Sequence, residues 1–335
     1  NLTSLVGAVF DTEGTDNLAK EAIGTGPFSI EKFTPGQSID FAARDDYWGE
    51  TPAVKNVQFK YFKDAVSASN ALKSGELAVV SNLQAPELAG GFQSNDYQII
   101  SGPTNGEVVL SMNNAKGIFK DKKAREAVMH AIDRKAVLDT AWAGYGELIG
   151  SMVPPTDPYY EDLTKVWDYD PQKAKDLIAD AGIEGETFAF TVPNLPYAKA
   201  ISEIVSAQLE EVGLKADIET QEFPAVWLDK TFTEHKFDMS VINHAEPRDI
   251  LTVFSNDYYI GYDDSKIKKI AEKADTGTEE EYVSGMKTIA KTITEDAASD
   301  FLFLFPNLVI AKSDVAGIPA NRVNDAFRIA DLSWN

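Results

Sequence analysis

The sequence predicts an α/β protein in which helices cover mostly parallel sheets, and three observations support this. Strand-length apolar runs alternate with segments of helical spacing, as at 187–192, 200–212 and 214–220. Several of the helical segments have capping residues at their start and a glycine just past their end. The chain has 335 residues, more than one domain usually contains, so two lobes or one large domain are expected.

The composition excludes several classes of protein. The 53 acidic residues outnumber the 31 basic ones and give a net charge of −22, which argues against nucleic acid or an anionic membrane surface as a partner. The chain has no cysteine, so a disulfide scaffold and a thiol nucleophile are excluded. The sequence has no Gly-x-Ser-x-Gly, phosphate-loop or His-Glu-x-x-His motif. We therefore predict that the protein is not an enzyme and uses no cofactor or metal.

The first third of the chain reads as short strands, turns and one helix. Residues Asn1 to Phe10 lack the features of a signal peptide, and we expect sequence upstream of them. Between Ala22 and Glu50 two strands are predicted to reverse at Pro35-Gly36, with Trp48 buried against this hairpin. The further predicted elements are a strand at 57–61, a helix from Asp64 to Gly75, and strands at 77–80 and 97–100. The last strand leads to Gly102-Pro103, where the chain is expected to cross between lobes.

The stretch from Val108 to Pro155 has the most regular pattern. An alternating apolar strand that includes Met112 leads through an asparagine turn into a helix that starts at Asp121. Asp133 is placed to cap a second, short helix through Trp142, which the Gly-Tyr-Gly segment after it would end.

This order of elements resembles the cluster 5 solute-binding proteins of ABC importers, the family of dipeptide-, oligopeptide- and nickel-binding receptors. Its members carry at this place an asparagine-ended strand, a helix start of the form F-x-D-x-R-x-R-x-A, an A-I-D-R segment and a G-Y-G loop. The matching residues here are Phe119, Asp121, Arg125, Ala127, Ala131 to Arg134 and Gly144 to Gly146, together with Gly24 to Phe28 and Tyr47 to Gly49. The resemblance covers nearly the whole chain but only the later part of a full-length receptor.

The resemblance implies a two-lobed, type II periplasmic-binding-protein fold with mixed sheets flanked by helices, without its N-terminal strand and extra domain. Residues 1–103 and 306–335 would form an incomplete lobe one, and residues 104–305 would form lobe two. The chain would cross between the lobes near 102–106 and 303–307, and these crossings would act as the hinge. The resemblance also implies a ligand held between the lobes.

Helix and strand patterns continue to alternate through lobe two. Asp170 and Pro171 start a helix that Gly182 would end. The other elements predicted here are a helix at 200–212, strands at 187–192, 214–220 and 237–243, a helix that opens at Pro224, a helix with the capping pair Thr278 and Glu281, and a strand at 301–310 broken by Pro306.

The most polar segment of lobe two follows a predicted strand and reads Asn-His-Ala-Glu-Pro-Arg-Asp. Loops at the carboxyl ends of strands are where open α/β sheets bind ligands. In peptide-binding members of the family the matching segment resembles W-x-x-D-Y-x-D-P, whose first aspartate receives the amino terminus of the peptide. Here Asn243 stands at that aspartate and His244 at the aromatic residue. This is a departure from the pattern, because an uncharged amide does not neutralise an ammonium as a carboxylate does.

We predict that His244, Glu246, Arg248 and Asp249 present a mixed-charge rim to a polar or zwitterionic ligand. The alternative is an internally paired loop, in which Arg248 neutralises Glu246 or Asp249. A metal site built on His244 and Glu246 is less favoured, because two ligands are too few for specificity.

Further candidate ligand contacts are aromatic or apolar. Trp142 and Tyr145 lie where family members line the cleft, and aromatic walls suit a binder of broad specificity. Met112, at the end of its strand, and Phe305, at the return crossing, complete the predicted set. Packing in the core is the alternative for Trp142 and Phe305.

The predicted function is that of an extracytoplasmic substrate-binding component of an ABC importer, which captures a short peptide or a similar small polar ligand. A receptor for a nickel chelate, an opine, a sugar or haem on the same scaffold is the alternative, and a hydrolase or surface adhesion module is the alternative of another class. The expected partners are the ligand and the ABC permease, without nucleic acid, and the protein is expected to be a monomer. The resemblance also implies a lipid anchor or a periplasmic location. We expect the 335-residue chain to fold but to bind weakly.

Overall fold

The computed structural model describes residues 23–322 and 327–335. The expectation for Asn1 to Phe10 lies outside this range. The chain forms two compact units, one of residues 1–104 with 307–335 and one of residues 105–306, here called unit 1 and unit 2.

Unit 1 contains a three-stranded antiparallel sheet. Its strands, in sheet order, are β1 (Phe28–Thr34), β2 (Ser38–Ala43) and β3 (Asn56–Lys60). The predicted reversal between β1 and β2 is confirmed, and Gly36 has the positive φ of +71° that glycine adopts most easily. The prediction for Trp48 is wrong: its side chain is 81% exposed. It lies in the loop between β2 and β3 and packs against the neighbouring ring of Tyr47, with ring centroids 5.1 Å apart.

The remaining elements of unit 1 are short, apart from two strands that continue into unit 2. The predicted cap of its helix is confirmed, because the Asp64 carboxylate accepts a hydrogen bond from the Ser67 backbone N–H. The bounds are α1 (Ala65–Lys73), β4 (Val79–Val80), β5 (Tyr97–Met112), β9 (Ser299–Lys312), β10 (Val315–Ala316) and β11 (Ser333–Trp334). β4 pairs with the end of β9, and β10 pairs with β11.

Two prolines fail to interrupt the strands in which they lie. β5 runs without a break through Gly102-Pro103. β9 runs through Pro306, so the predicted break of that strand is wrong. Pro103 lacks an N–H, but its carbonyl accepts a hydrogen bond from the Arg322 N–H at 3.1 Å. Gly102 lies so close to the backbone of Ala320 that a Cβ would be 2.4 Å from that carbonyl oxygen. Local chain contacts therefore support an extended backbone at this Gly-Pro pair.

Unit 2 is built on a mixed sheet with the strand order β9, β5, β8, β6, β7. The last three strands are β6 (Thr187–Pro193), β7 (Lys215–Gln221) and β8 (Met239–His244). β6 is parallel to both β7 and β8, whereas β5 runs antiparallel to β8 and places Glu107 opposite His244. The carboxyl ends of β6, β7 and β8 therefore lie at one edge of the sheet, together with the part of β5 that begins at Asn105.

The helices of unit 2 begin largely where their capping residues predict. The side chains of Asp121, Asp133, Asp170 and Thr278 each accept a hydrogen bond from a first-turn backbone N–H, which confirms these caps. The bounds are α2 (Lys122–Ala131), α3 (Arg134–Trp142), α4 (Pro171–Ala181), α5 (Pro196–Glu211), α6 (Ala225–Trp227), α7 (Ile250–Val253), α8 (Ser265–Asp275) and α9 (Glu279–Glu295). α5 begins before the predicted position, and α7 and α8 were not predicted. No helix in the described ranges has both the length and the apolar character that a membrane crossing needs.

The unit 2 sheet carries a separate apolar core on each face. One core joins Val108, Leu110 and Val241 to helices α2 to α5, and we call this side the α5 face. The other joins Val109 and Ile242 to α7, α8 and α9, and we call it the α9 face. Successive residues of β5 and β8 alternate between these cores, as the two-residue period of a strand requires.

Candidate functional site

The polar loop predicted as the site begins at Asn243 and His244, which close β8 at the carboxyl edge of the sheet. The alternation of β8 sends these two side chains to opposite sides. Asn243 follows Val241 to the α5 face, and His244 follows Ile242 to the α9 face. The candidate site therefore has two parts with different surroundings.

On the α5 face, the Asn243 amide approaches β5 closely. Its Oδ1 atom is buried and has no hydrogen-bond partner within the described chain. A Cβ at Gly106 would lie 2.4 Å from this oxygen, so the arrangement requires glycine there. The Asn243 backbone N–H donates to the Tyr197 hydroxyl oxygen at 3.0 Å. Burial raises the pKa of Tyr197 to about 12, so this hydroxyl is neutral.

Aromatic rings fill the α5 face beside Asn243. Trp142 is 1% exposed and meets Phe305 edge to face at 4.7 Å, and Phe305 in turn lies 5.2 Å from the ring of Tyr197. These distances are typical of core packing. Trp142 and Phe305, both predicted as ligand contacts, are therefore packed against each other. Tyr145 is half-buried just past α3, and its N–H donates to the Trp142 carbonyl.

Met112, which the sequence predicted as a site residue, does not lie in this group. It has no exposed surface and pairs with Met239 at the start of β8, whereas the polar loop follows the end of β8. At the usual rise of a strand, Met112 is about 17 Å along β5 from Glu107. Packing in the α5-face core accounts for an apolar side chain at this position without any ligand contact.

On the α9 face, His244 is held by aromatic residues. Its Nε2 atom is 3.2 Å from the Tyr259 hydroxyl, and the two rings are nearly parallel at 17°. The same hydroxyl lies 2.6 Å from the Ser111 Oγ atom. Burial lowers the pKa of His244 to about 4, so the imidazole is neutral near pH 7. His244 is thus a buried, hydrogen-bonded residue, not part of a charged rim.

Arg248 is paired, but not with the partners considered from the sequence. Its Nε atom donates to the Asp157 Oδ1 atom at 3.0 Å, although the two residues are 91 positions apart. Arg248 has a φ of +60°, so the loop holds it in the left-handed region that is uncommon for residues other than glycine. The alternative of an internally paired loop, with Arg248 bound to Glu246 or Asp249, is therefore wrong about the partner, which lies outside the loop. Glu246 is exposed.

The acidic groups on the α9 face are less well neutralised than Arg248. Glu107, opposite His244, is 3% exposed, and its Oε2 atom has no hydrogen-bond partner in the described part of the chain. Burial, and next the charge of Asp249, raise the pKa of Glu107 well above its usual value. Burial also raises the pKa of Asp249 to about 7. This half-buried residue precedes α7 without a side-chain cap bond.

Residues 2–266 match the family model described as bacterial extracellular solute-binding proteins, family 5 Middle. The chain belongs to this family. Among curated proteins, the dipeptide-binding protein of Escherichia coli (strain K12) is 29% identical over 214 residues, which cover 62% of this chain and 40% of that protein. The oligopeptide-binding protein AppA of Bacillus subtilis (strain 168) is 24% identical over 352 residues, covering 96% of this chain and 64% of that protein.

Solved structures of solute-binding proteins share the fold. The ABC transporter substrate-binding protein CtaP from Listeria monocytogenes superposes with a TM-score of 0.85 at 21% identity, over 96% of this chain and 68% of CtaP. The predicted periplasmic-binding-protein fold is thereby confirmed, as is the resemblance to the cluster 5 receptors. Family 5 is a family of solute-binding proteins and not of enzymes, as predicted. The chain spans only 40% and 64% of the lengths of the two curated relatives.

Comparison with the family 5 pattern pointed to Asn243 but not to Glu107. In the sequence, Glu107 is one of 53 acidic residues and directly precedes an apolar strand. Only the strand register shows that it faces His244 and lies near Asp249. A sequence signal was present, since a charged residue inside a strand that is otherwise buried is uncommon.

Proposed function

We propose that this solute-binding protein is the substrate-capturing component of an ABC importer and that its ligand is a short peptide or a similar small polar molecule. Family membership, together with the names of the matched proteins, carries this proposal, because both curated relatives described above are named for peptides. The proposal places the protein outside the cytoplasm, in the periplasm or held by a lipid anchor. There it works as a monomer and delivers its ligand to a membrane permease.

The end of β8 in unit 2 supports this proposal with three features. It lies at the carboxyl edge of the sheet, where open α/β sheets bind ligands. The parallel ladder with β6 contains only Met239 and Ser240, so the residues from Val241 to His244 extend beyond it. The main chain of a peptide can add to such a strand end, while neighbouring side chains select its residues. Glu246, which is exposed, and Tyr145, which is half-buried, remain predicted ligand contacts.

A ligand other than a peptide is the second candidate, and Asn243 is the observation that favours it. Its neutral amide stands where peptide-binding members carry a carboxylate, and its Oδ1 atom has no donor among the described residues. Not every matched protein is named for peptides, since one from Haemophilus influenzae is named heme-binding protein A. A nickel chelate, an opine, a sugar or haem is the corresponding ligand.

Mass spectrometry of small molecules that co-purify with the protein, including any sequence flanking these 335 residues, tests the proposal. We expect short peptides in the extract, and their absence from protein that has been unfolded, washed and refolded. Adding a pool of di- and tripeptides to the stripped protein should raise its melting temperature, since a ligand at 100 times its Kd stabilises by about 2.7 kcal/mol. Recovery of a metal chelate or another metabolite, with no thermal shift from any peptide, would overturn the peptide assignment.

A further inference from the structure

The α9 face contains a buried carboxylate, one oxygen of which has no hydrogen-bond partner among the described residues. Glu107 is 3% exposed, and its Oε2 atom has no hydrogen-bond partner in residues 23–322 and 327–335. An unpaired ionised carboxylate is costly to bury, because it loses its hydration without receiving hydrogen bonds in exchange. Native proteins keep such a group mainly where it serves a function or meets an external partner.

The charged and titratable neighbours of Glu107 do not relieve this cost. Asp249 and Asp157 both act on it with like charge. Arg248 is the cation of the adjoining loop, and it is turned to Asp157. His244, across the strand pair, is neutral and contacts the Tyr259 hydroxyl. The local field is therefore negative and suits a positive charge brought in from outside.

The chemistry of these groups favours a nitrogen cation over a metal ion. No cluster of three or more His, Cys, Asp or Glu side chains suitable for a metal occurs in the described residues. A carboxylate oxygen without a donor is matched by an ammonium or guanidinium group, whose N–H donors form short, charge-assisted hydrogen bonds. Glu107 also lies at the sheet edge to which the proposed function brings the ligand.

We infer that Glu107 is a specificity-determining residue whose carboxylate, next to Asp249, receives a cationic nitrogen group of the ligand. The inference rests on the proposed function and specifies its ligand chemistry. It assigns the amine-binding charge to β5 and the α9 face, and not to the position of Asn243 on the α5 face. The cation is either the amino terminus of a peptide or a basic side chain.

Titration calorimetry at pH 7.5 on the protein, including any sequence flanking these 335 residues, tests this role. The probes are trialanine, N-acetyl-trialanine and N-acetyl-Ala-Lys-Ala. The variants are Glu107→Gln and, as a matched control, Glu186→Gln, an exposed glutamate at the start of β6 and thus at the opposite end of the sheet. Removing one partner of a buried charge pair weakens binding by at least about 30-fold. We expect this loss for trialanine with Glu107→Gln and no loss with Glu186→Gln.

The acetylated probes identify the source of the cation. Weak binding of N-acetyl-trialanine by the unmodified protein assigns the site to the amino terminus, whereas recovery of affinity with N-acetyl-Ala-Lys-Ala assigns it to a basic side chain. Equal binding of trialanine by the unmodified protein and Glu107→Gln would overturn the role of Glu107 and leave the proposed function intact. If none of the peptides binds to the unmodified protein, both proposals fail.

A pH series separates charge recognition from a purely structural role. The affinity of the unmodified protein for trialanine should rise from pH 5.5 to 7.5 as negative charge develops on the carboxyl groups of this face, of which Asp249 has a pKa of about 7, and Glu107→Gln should flatten this rise. The ligand-free melting temperature of Glu107→Gln at pH 7.5 should be no lower than that of the unmodified protein, because the lost carboxylate had no partner at Oε2. If Glu107→Gln melts lower, Asp249→Asn takes its place, and an unchanged pH profile in Asp249→Asn would overturn the inference.

Discussion

The α5 face and the α9 face meet the same end of β8 with different chemistry. On the α5 face, the aromatic side chains of Trp142, Phe305 and Tyr197 pack around a neutral amide, Asn243. On the α9 face, a neutral histidine is followed by carboxyl groups whose pKa values burial raises. The first face is organised by apolar packing and the second by charge.

This difference follows from the period of two in a strand. Residues 243 and 244 are adjacent in the sequence, yet their side chains enter separate cores. A family pattern read along the chain treats the loop as one site. The structure divides it and brings Glu107 from the neighbouring strand to the charged side. The predictions below test whether the two faces respond as differently as their contacts indicate.

Removing the largest ring from the α5 face should produce the greatest effect. Trp142→Ala leaves a cavity beside Phe305 and should lower the free energy of unfolding by about 3–5 kcal/mol, as for other buried aromatic residues. Trp48→Ala is the matched control, because this ring is 81% exposed, and the expected change is within about 0.5 kcal/mol. Urea unfolding followed by circular dichroism measures both. Equal losses in the two variants would contradict the assignment of Trp142 to the core.

The elements of the fold could be predicted well where local chemistry determines them. Asp133 caps α3 and Asp170 caps α4 through contacts that span a few residues, and the sequence shows these contacts directly. The residues that match the family motif also stabilise the fold. Arg125, for example, is buried and donates to the Phe119 and Ala297 carbonyls. Such residues identify the family 5 fold but lie apart from the polar loop.

The contribution of the α9 face to the stability of the protein should depend on pH. The raised pKa of Asp249, about 7 in the folded protein, means that its favourable contribution is complete below the usual aspartate pKa and is lost as pH rises through about 7. The lowered pKa of His244 acts in the opposite direction, since its contribution is lost as pH falls from about 6.5 towards 4. The two contributions therefore oppose each other between about pH 4 and 6.5, and Asp249 determines the change from about pH 6.5 to 7.

Asp249→Asn isolates this contribution. At pH 7.5 the variant should be more stable than the unmodified protein by on the order of 2 kcal/mol, and the gain should shrink towards zero as pH falls to the usual aspartate pKa. Urea midpoints between pH 4.5 and 8 measure the effect. Asp217→Asn, an exposed position on β7, is the control and should shift stability by no more than about 0.5 kcal/mol. A constant gain at every pH would show that the charge of Asp249 is not its source.

The candidate site could be predicted only in part, because its contacts join distant segments. The sequence identified the loop after β8, but the pairing of Arg248 with Asp157 links positions 91 residues apart. The burial of Trp142 depends on Phe305 from β9, and the position of Glu107 opposite His244 depends on the register of β5 with β8. Register and long-range pairing are set by tertiary packing, which local propensities do not contain.

The smallest predicted difference compares one hydroxyl on each face. Tyr259→Phe removes the group next to both the Ser111 Oγ atom and His244 Nε2, and should cost about 2 kcal/mol because two buried polar atoms lose a partner. Tyr197→Phe removes one acceptor, that of the Asn243 N–H, and should cost about 1 kcal/mol. Urea unfolding at pH 7.5 compares the two losses. A larger loss for Tyr197→Phe would mean that polar contacts matter more on the α5 face than its aromatic packing indicates.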